Sequence, residues 1–197
     1  MKKRTHLKIG RFIRTVLAEN GMPLVGPAFA LGNIAPDLIY SYVFRRHTRS
    51  SSGDYLHKMI WRLCSDDVRP DSMTYSLYLG VMAHYICDFL CYPHTPAFNG
   101  SVRDHMLYEK SQSVDDGDWD SFNPDEIRYL GPARLIKKLD GDFSKREQFF
   151  LQNADAEYAD IPVALNVATW AAANVYLHAS ALCRAAENPL SPNPAAK

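Results

Sequence analysis

A chain of 197 residues, 47% of them hydrophobic, has the size of one ordinary domain and enough apolar side chains for a single core. Its 22 lysines and arginines balance 22 aspartates and glutamates, so net charge gives no argument for a nucleic-acid partner. No apolar run is long enough for a transmembrane segment, and residues 6–20 are too interrupted by Lys8, Arg11, Arg14 and Glu19 to be the core of a secretory signal. The expected location is cytoplasmic, with Cys64, Cys87, Cys91 and Cys183 reduced; Cys87 and Cys91, four apart, can also be read as a metal pair.

The patterns are helical from end to end. Leu7, Ile9, Phe12, Ile13, Val16 and Leu17 follow a helical period that Gly21 and Pro23 end. The basic residues at this start, among them Lys2, Lys3, Arg4 and Lys8, read as a solvated helix face or as a contact for an anionic surface. Residues 24–31 are apolar nearly all round, which suits a buried segment. A helix break is expected over residues 33–37, because Pro36 disfavours helical geometry at Ala35. Asp54 is placed to cap a helix running through Leu56, Met59, Ile60 and Leu63. Residues 72–91 form the longest apolar stretch and predict a central helix, ended by Pro93 and Pro96. Residues 103–110 predict another helix, and the acidic residues 111–123 a loop. Two helices are expected over 125–139 and 144–158, and a last, Ala-rich one over 161–184. With no strand pair and no repeat, the expected architecture is all-α: one multi-helix domain over residues 1–186, with a metal cluster between helices, and a loose tail over 187–197.

The histidines carry the chemical signal. His84 and Asp88 are four apart on the central helix, so they share one face with Cβ atoms about 6 Å apart, a suitable bite for one metal ion. Their helix is otherwise almost wholly apolar, and an imidazole and a carboxylate there need a partner. A buried His–Asp hydrogen bond is the competing explanation. His105 and Glu109 repeat the same spacing and residue types, and His94 lies between the pairs just past a proline. Upstream, Asp37 follows Pro36, where it reads as a ligand or as a helix cap. His47 and His6 complete the set, and His57 competes with His47. Nitrogen and carboxylate donors without thiolates point to zinc, with manganese or iron as alternatives. Eight ligands are too many for one zinc and suit two sites of three or four protein ligands, with a bridging carboxylate. His178, far away on the last helix, reads as a structural histidine. Tyr40, Tyr42, Tyr85, Tyr92 and Tyr108 flank the ligands and read as pocket lining or as core.

The ordered motif His84-x3-Asp88-x5-His94 followed by His105-x3-Glu109, with residues 32–37 and 79–85, resembles the bacterial zinc-dependent phospholipase C family, particularly its shorter members without an export signal. The resemblance covers roughly residues 5–110. It implies a first zinc held by Asp37, His47, His84 and Asp88, and a second held by His94, His105 and Glu109. His6 would help hold a third, with Asp88 bridging. Secreted members add an N-terminal Trp to that third site, whereas this chain reads Met1-Lys2-Lys3-Arg4-Thr5, so two or three ions are implied. The implied activity is phosphodiester hydrolysis of a phospholipid by a zinc-bound hydroxide, with Asp37 accepting a proton and peripheral contact with a membrane. Two alternatives stay open: a zinc-dependent nuclease, since fungal zinc nucleases share a similar ligand order, and a non-catalytic metal-binding helical protein.

Overall fold

The computed structural model describes residues 1–38, 47–65, 68–112, 129–153 and 160–187, and these are helical with no strand among them. In chain order the helices are α1 (Lys3–Glu19), α2 (Gly26–Ile34), α3 (Arg49–Leu63), α4 (Met73–Phe89), α5 (Val102–Ser111), α6 (Pro132–Gln152) and α7 (Asp160–Glu187). Short 3₁₀ turns follow α2 at Ala35–Asp37 and α4 at Tyr92–His94. The all-α expectation holds. The acidic stretch from residue 113 on and the tail beyond residue 187 lie outside the described residues.

Helix α4 is the axis of the fold. Every residue from Leu79 to Phe89 is buried, and α2, α3 and α7 pack around it. Ser72 opens the helix by accepting the Tyr75 N–H at 3.0 Å. Leu90 ends it, and Pro93 supports the following 3₁₀ turn by fixing its backbone.

The tightest junction is between α2 and α4. A Cβ on Gly32 would stand 2.0 Å from the Leu77 carbonyl oxygen, and one on Gly80 would stand 2.3 Å from that of Phe29. The two glycines therefore let the helix backbones touch, which no residue with a side chain would allow. A third glycine, Gly10 on α1, leaves room for the Asn33 side chain, whose Nδ2 would lie 2.1 Å from a Cβ there.

Two expected boundaries are corrected. Asp54 does not cap a helix: α3 begins five residues earlier, after Thr48, and Asp54 lies within it. The two helices expected on either side of Gly141 are one, α6. Leu135, Leu139, Phe143 and Phe150 lie on one continuous buried face, so packing carries the helix through Gly141 despite the roughly 1 kcal/mol that glycine costs there. Ser144 lies within the helix, and its hydroxyl accepts from the Arg49 guanidinium at 2.9 Å.

Gly80→Ala is expected to destabilise the protein by at least about 1–3 kcal/mol, as over-packing against a backbone does. Gly141→Ala has the opposite sign, about 0.5–1 kcal/mol of stabilisation, because no described atom lies within 4 Å of its Cβ position. Urea denaturation of both variants checks the pair; equal effects would refute this account of the α2–α4 contact.

Candidate metal centre

One end of the α1–α2–α4 junction carries a cluster of imidazoles and carboxylates. Asn33, at the end of α2 and fully buried, organises it. Its carbonyl oxygen lies 3.0 Å from His84 Nδ1, and its Nδ2 donates to the His6 carbonyl at 2.6 Å. A carbonyl can only accept, so His84 Nδ1 bears a proton and Nε2 is the nitrogen turned towards the cluster. His94 is fixed in the same way: its Nδ1 donates to the His47 carbonyl at 2.9 Å, which turns its Nε2 inward.

Asp88 is the hub. Its Oδ1 accepts from His6 Nε2 at 3.1 Å, and its Oδ2 lies 3.0 Å from His47 Nδ1 and 3.1 Å from His84 Nε2. His6 stacks on His84 with ring centroids 3.9 Å apart. Asp37, in the 3₁₀ turn after α2, places Oδ1 3.7 Å from His47 Nδ1 and 3.9 Å from His84 Nε2. On the opposite side, His94 Nε2 is 3.3 Å and His105 Nε2 is 2.9 Å from Glu109 Oε1. All eight candidate residues thus come together. Their donor atoms fall into three groups within 4.8 Å: His6, Asp37 and His84; His47, His84 and Asp88; and His94, His105 and Glu109.

His57 is elsewhere: its Nε2 meets Asp140 at 3.2 Å, beside Arg49. His178 bonds to the Tyr129 hydroxyl at 2.6 Å. Burial pushes the Cys87 and Cys91 thiols up, so they stay protonated among core side chains. Tyr85 is core, edge-on to His47 and His84, and Tyr92 and Tyr108 pack on each other; Tyr40 and Tyr42 lie outside the described residues.

Two features escaped sequence reasoning. The first is the α-amino group of Met1, which lies 2.6 Å from Asp88 Oδ1, 2.9 Å from Glu109 Oε1 and 3.1 Å from His94 Nε2. Burial opposes its charge, but Asp88 and Glu109 outweigh burial and the amine is pushed up to about 12. The second is Asp160, the fully buried first residue of α7. It accepts from Arg146 Nη2 and the Tyr108 hydroxyl, each at 2.6 Å, and from the Tyr92 N–H at 3.0 Å. Tyr92 begins the turn that carries His94, and Tyr108 precedes Glu109, so Asp160 anchors two ligand-bearing segments. Nothing in the local sequence marks either residue, because both act through distant contacts.

The donor set fits a metal. His84 Nε2 faces Asp88 Oδ2, and His94 Nε2 faces Glu109 Oε1, where the Met1 ammonium stands against both. In a buried site such an arrangement needs a cation between the acceptors. His47 Nε2 and His6 Nδ1 are buried without hydrogen-bond partners, so further nitrogen donors are available. Imidazoles held by main-chain carbonyls through the far nitrogen are the usual outer support of a zinc site.

The family profile described as zinc dependent phospholipase C matches residues 5–148. The chain belongs to that family. No match was found among curated proteins or solved structures. The match extends well past the ligands, through α5 and most of α6. Membership carries zinc dependence and a lipid substrate class as family properties. No helix among the described residues is long and apolar enough to cross a membrane.

Removing the Asp160 carboxylate leaves the Arg146 guanidinium nearly buried and unpaired, since Arg146 is only 12% exposed. Asp160→Ala is therefore expected to cost about 3 kcal/mol by urea denaturation, and Asp160→Asn less; an alanine variant within 0.5 kcal/mol of wild type, roughly the effect of an ordinary surface change, would remove the anchoring role.

Stability of metal-stripped protein should also depend on pH. Burial and the neighbouring His84 depress His6 to about 3, and burial also lowers His94. Histidines in the unfolded chain take up protons below about 6.5, so unfolding binds protons and stability falls as pH drops. His47 partly offsets this: burial lowers it, but Asp88 outweighs burial and holds it up. Between pH 7 and pH 5 a net loss of about 2 kcal/mol is expected in chelator-treated protein. Denaturation curves that do not shift over this range would contradict the burial of neutral histidines.

Proposed function

We propose that this chain hydrolyses a phospholipid in the manner of a phospholipase C, the headgroup leaving as a phosphorylated alcohol, with two or three zinc ions held by His6, Asp37, His47, His84, Asp88, His94, His105 and Glu109. The observation that carries the proposal is the convergence of these donors in one cluster, four of which open onto a cavity. The cavity measures about 1110 Å³, and Asp37, His94, His105 and Glu109 line it. That volume is somewhat above the roughly 300–1,000 Å³ of small-molecule sites, and suits a headgroup with part of its acyl chains outside.

Zinc held by these residues would supply a water of lowered pKa and positive charge for the non-bridging phosphate oxygens. The protein's part is positioning. Asp88 offers one carboxylate oxygen to His47 and His84 and the other to His6 and the Met1 amine, so it can span two ions. His84 and His94 are locked in one tautomer by main-chain carbonyls. Asp37 is the residue we assign to take the proton from the attacking water. It opens onto the cavity, and burial raises its carboxyl against the pull of His84, with Asp88 adding to the rise. A base is more effective when its pKa lies closer to the working pH. The four free cysteines suit a reducing compartment, and we place the protein in the cytoplasm.

Plasma emission spectrometry on protein purified without added metal should find two or three zinc per chain. The loaded protein should hydrolyse phosphatidylcholine, lose activity to a chelator and regain it with zinc. Asp37→Asn should lower kcat about 10²–10⁴-fold, as loss of a general base does. Activity on single-stranded DNA alone would replace this reading with a nuclease. A fully loaded protein that turns over neither lipid nor DNA would leave only a metal-binding role.

A further inference from the structure

The rim of the cavity is unlike the rest of a chain whose net charge is zero. Lys2, Lys3 and Arg4 at the start of α1 line one side, and Arg103 and Lys110 on α5 line the other. All five are exposed, and none forms an ion pair among the described residues. The acids of the cavity, Asp37 and Glu109, lie inside it among the histidines.

Between these cations stand apolar side chains that the fold does not use. Helix α5 buries none of its residues, yet it carries Val102, Met106 and Leu107, which are 79%, 64% and 52% exposed and all line the cavity. Val102 and Met106 are one turn apart, and so are Arg103 and Leu107, so apolar and basic side chains alternate around the mouth. Clustered exposed hydrophobes at a site mark a contact surface. Their basic neighbours select an anionic partner.

We infer that the mouth of the metal site is a docking face for an anionic phospholipid bilayer: the five cations meet lipid phosphates while Val102, Met106 and Leu107 enter the acyl boundary. This rests on the phospholipid reading above. A nucleic acid fits the rim less well, since no tryptophan, tyrosine or phenylalanine lines it for base stacking. Each basic side chain near an anionic bilayer favours binding by about fivefold, so five give strong selection over a neutral surface. Apolar insertion and charge attraction together are what hold amphipathic elements at a membrane.

The experiment is co-sedimentation of the full-length, zinc-loaded protein with phosphatidylcholine vesicles, with and without phosphatidylglycerol. Binding should be at least about tenfold tighter to the anionic vesicles and weaken as salt rises. The double variant Lys3→Glu/Arg103→Glu should lose about tenfold or more on anionic vesicles. Met106→Asp, which leaves the charges in place, should weaken binding at high salt as well. For both, the ratio of turnover on anionic vesicles to turnover on monomeric short-chain phosphatidylcholine should fall in parallel. Equal partition onto neutral and anionic vesicles, unchanged binding by both variants, or tighter binding to single-stranded DNA at the same ionic strength would each overturn the docking face. Hydrolysis of monomeric lipid without vesicle binding would defeat the docking face and leave the phospholipase reading intact. Vesicle binding without hydrolysis of any lipid would do the reverse.

Discussion

The close approach of α2 to α4, backbone against backbone at Gly32 and Gly80, is the constraint on which the metal centre depends. It brings the Asn33 carbonyl to His84 Nδ1 and thereby decides which imidazole nitrogen faces the cluster. The Asn33 amide then reaches the His6 carbonyl through the space that Gly10 leaves, which ties α1 to the same junction. One buried asparagine and three glycines therefore set the positions of α1, α2 and α4 relative to each other. A tautomer fixed by main-chain geometry needs no reorganisation when a ligand arrives, which is the condition for a pre-organised site.

Among the described residues two carboxylates are fully buried, Asp88 and Asp160, and they are satisfied differently. Asp160 has a guanidinium, a phenol and a backbone N–H, all true donors that fill its lone pairs without any added group. Such a residue is complete as it stands, and its work is to hold the segments that carry His94 and Glu109. Asp88 accepts from His6 Nε2 on one oxygen, and its other oxygen faces His84 Nε2, a ring whose Nδ1 proton is committed to the Asn33 carbonyl. The Met1 ammonium answers part of that charge. The contrast locates where a cation belongs: a carboxylate among donors is structural, whereas a carboxylate among other acceptors needs something between them.

The parts of this arrangement that were legible in the sequence are those that depend on local geometry. His84 with Asp88 and His105 with Glu109 could be paired because spacing by four on a helix puts two side chains on one face whatever the rest of the fold does. The central helix was legible from its unbroken apolar run. What could not be read depends on contacts between distant segments. His47 and His57 were separated only by where α3 packs: His57 turns to Asp140 on α6, and His47 lies before the helix, next to Asp88. Asp160 is 68 residues from Tyr92, and the Met1 amine is 87 from Asp88. The gap expected between helices over 125–139 and 144–158 does not exist, because the buried face on either side of residues 140–143 is continuous.

Helix α5 shows how site and surface are joined. With no buried residue, it gains little from the hydrophobic core that holds α4. Its place is set by polar contacts: the Ser101–Asp104 capping box at its start, the Tyr108 hydroxyl on Asp160, and His105 and Glu109 turned towards His94. A metal held by His105 and Glu109 would therefore bind the helix itself to the body of the protein, and its binding energy would count directly towards ordering it. The same turns of the helix carry the exposed apolar and basic side chains at the cavity mouth. Geometry at the ligands and geometry at the rim are thus not independent: a change that loosens Glu109 also loosens Met106 and Lys110, which follow the same ten-residue rod.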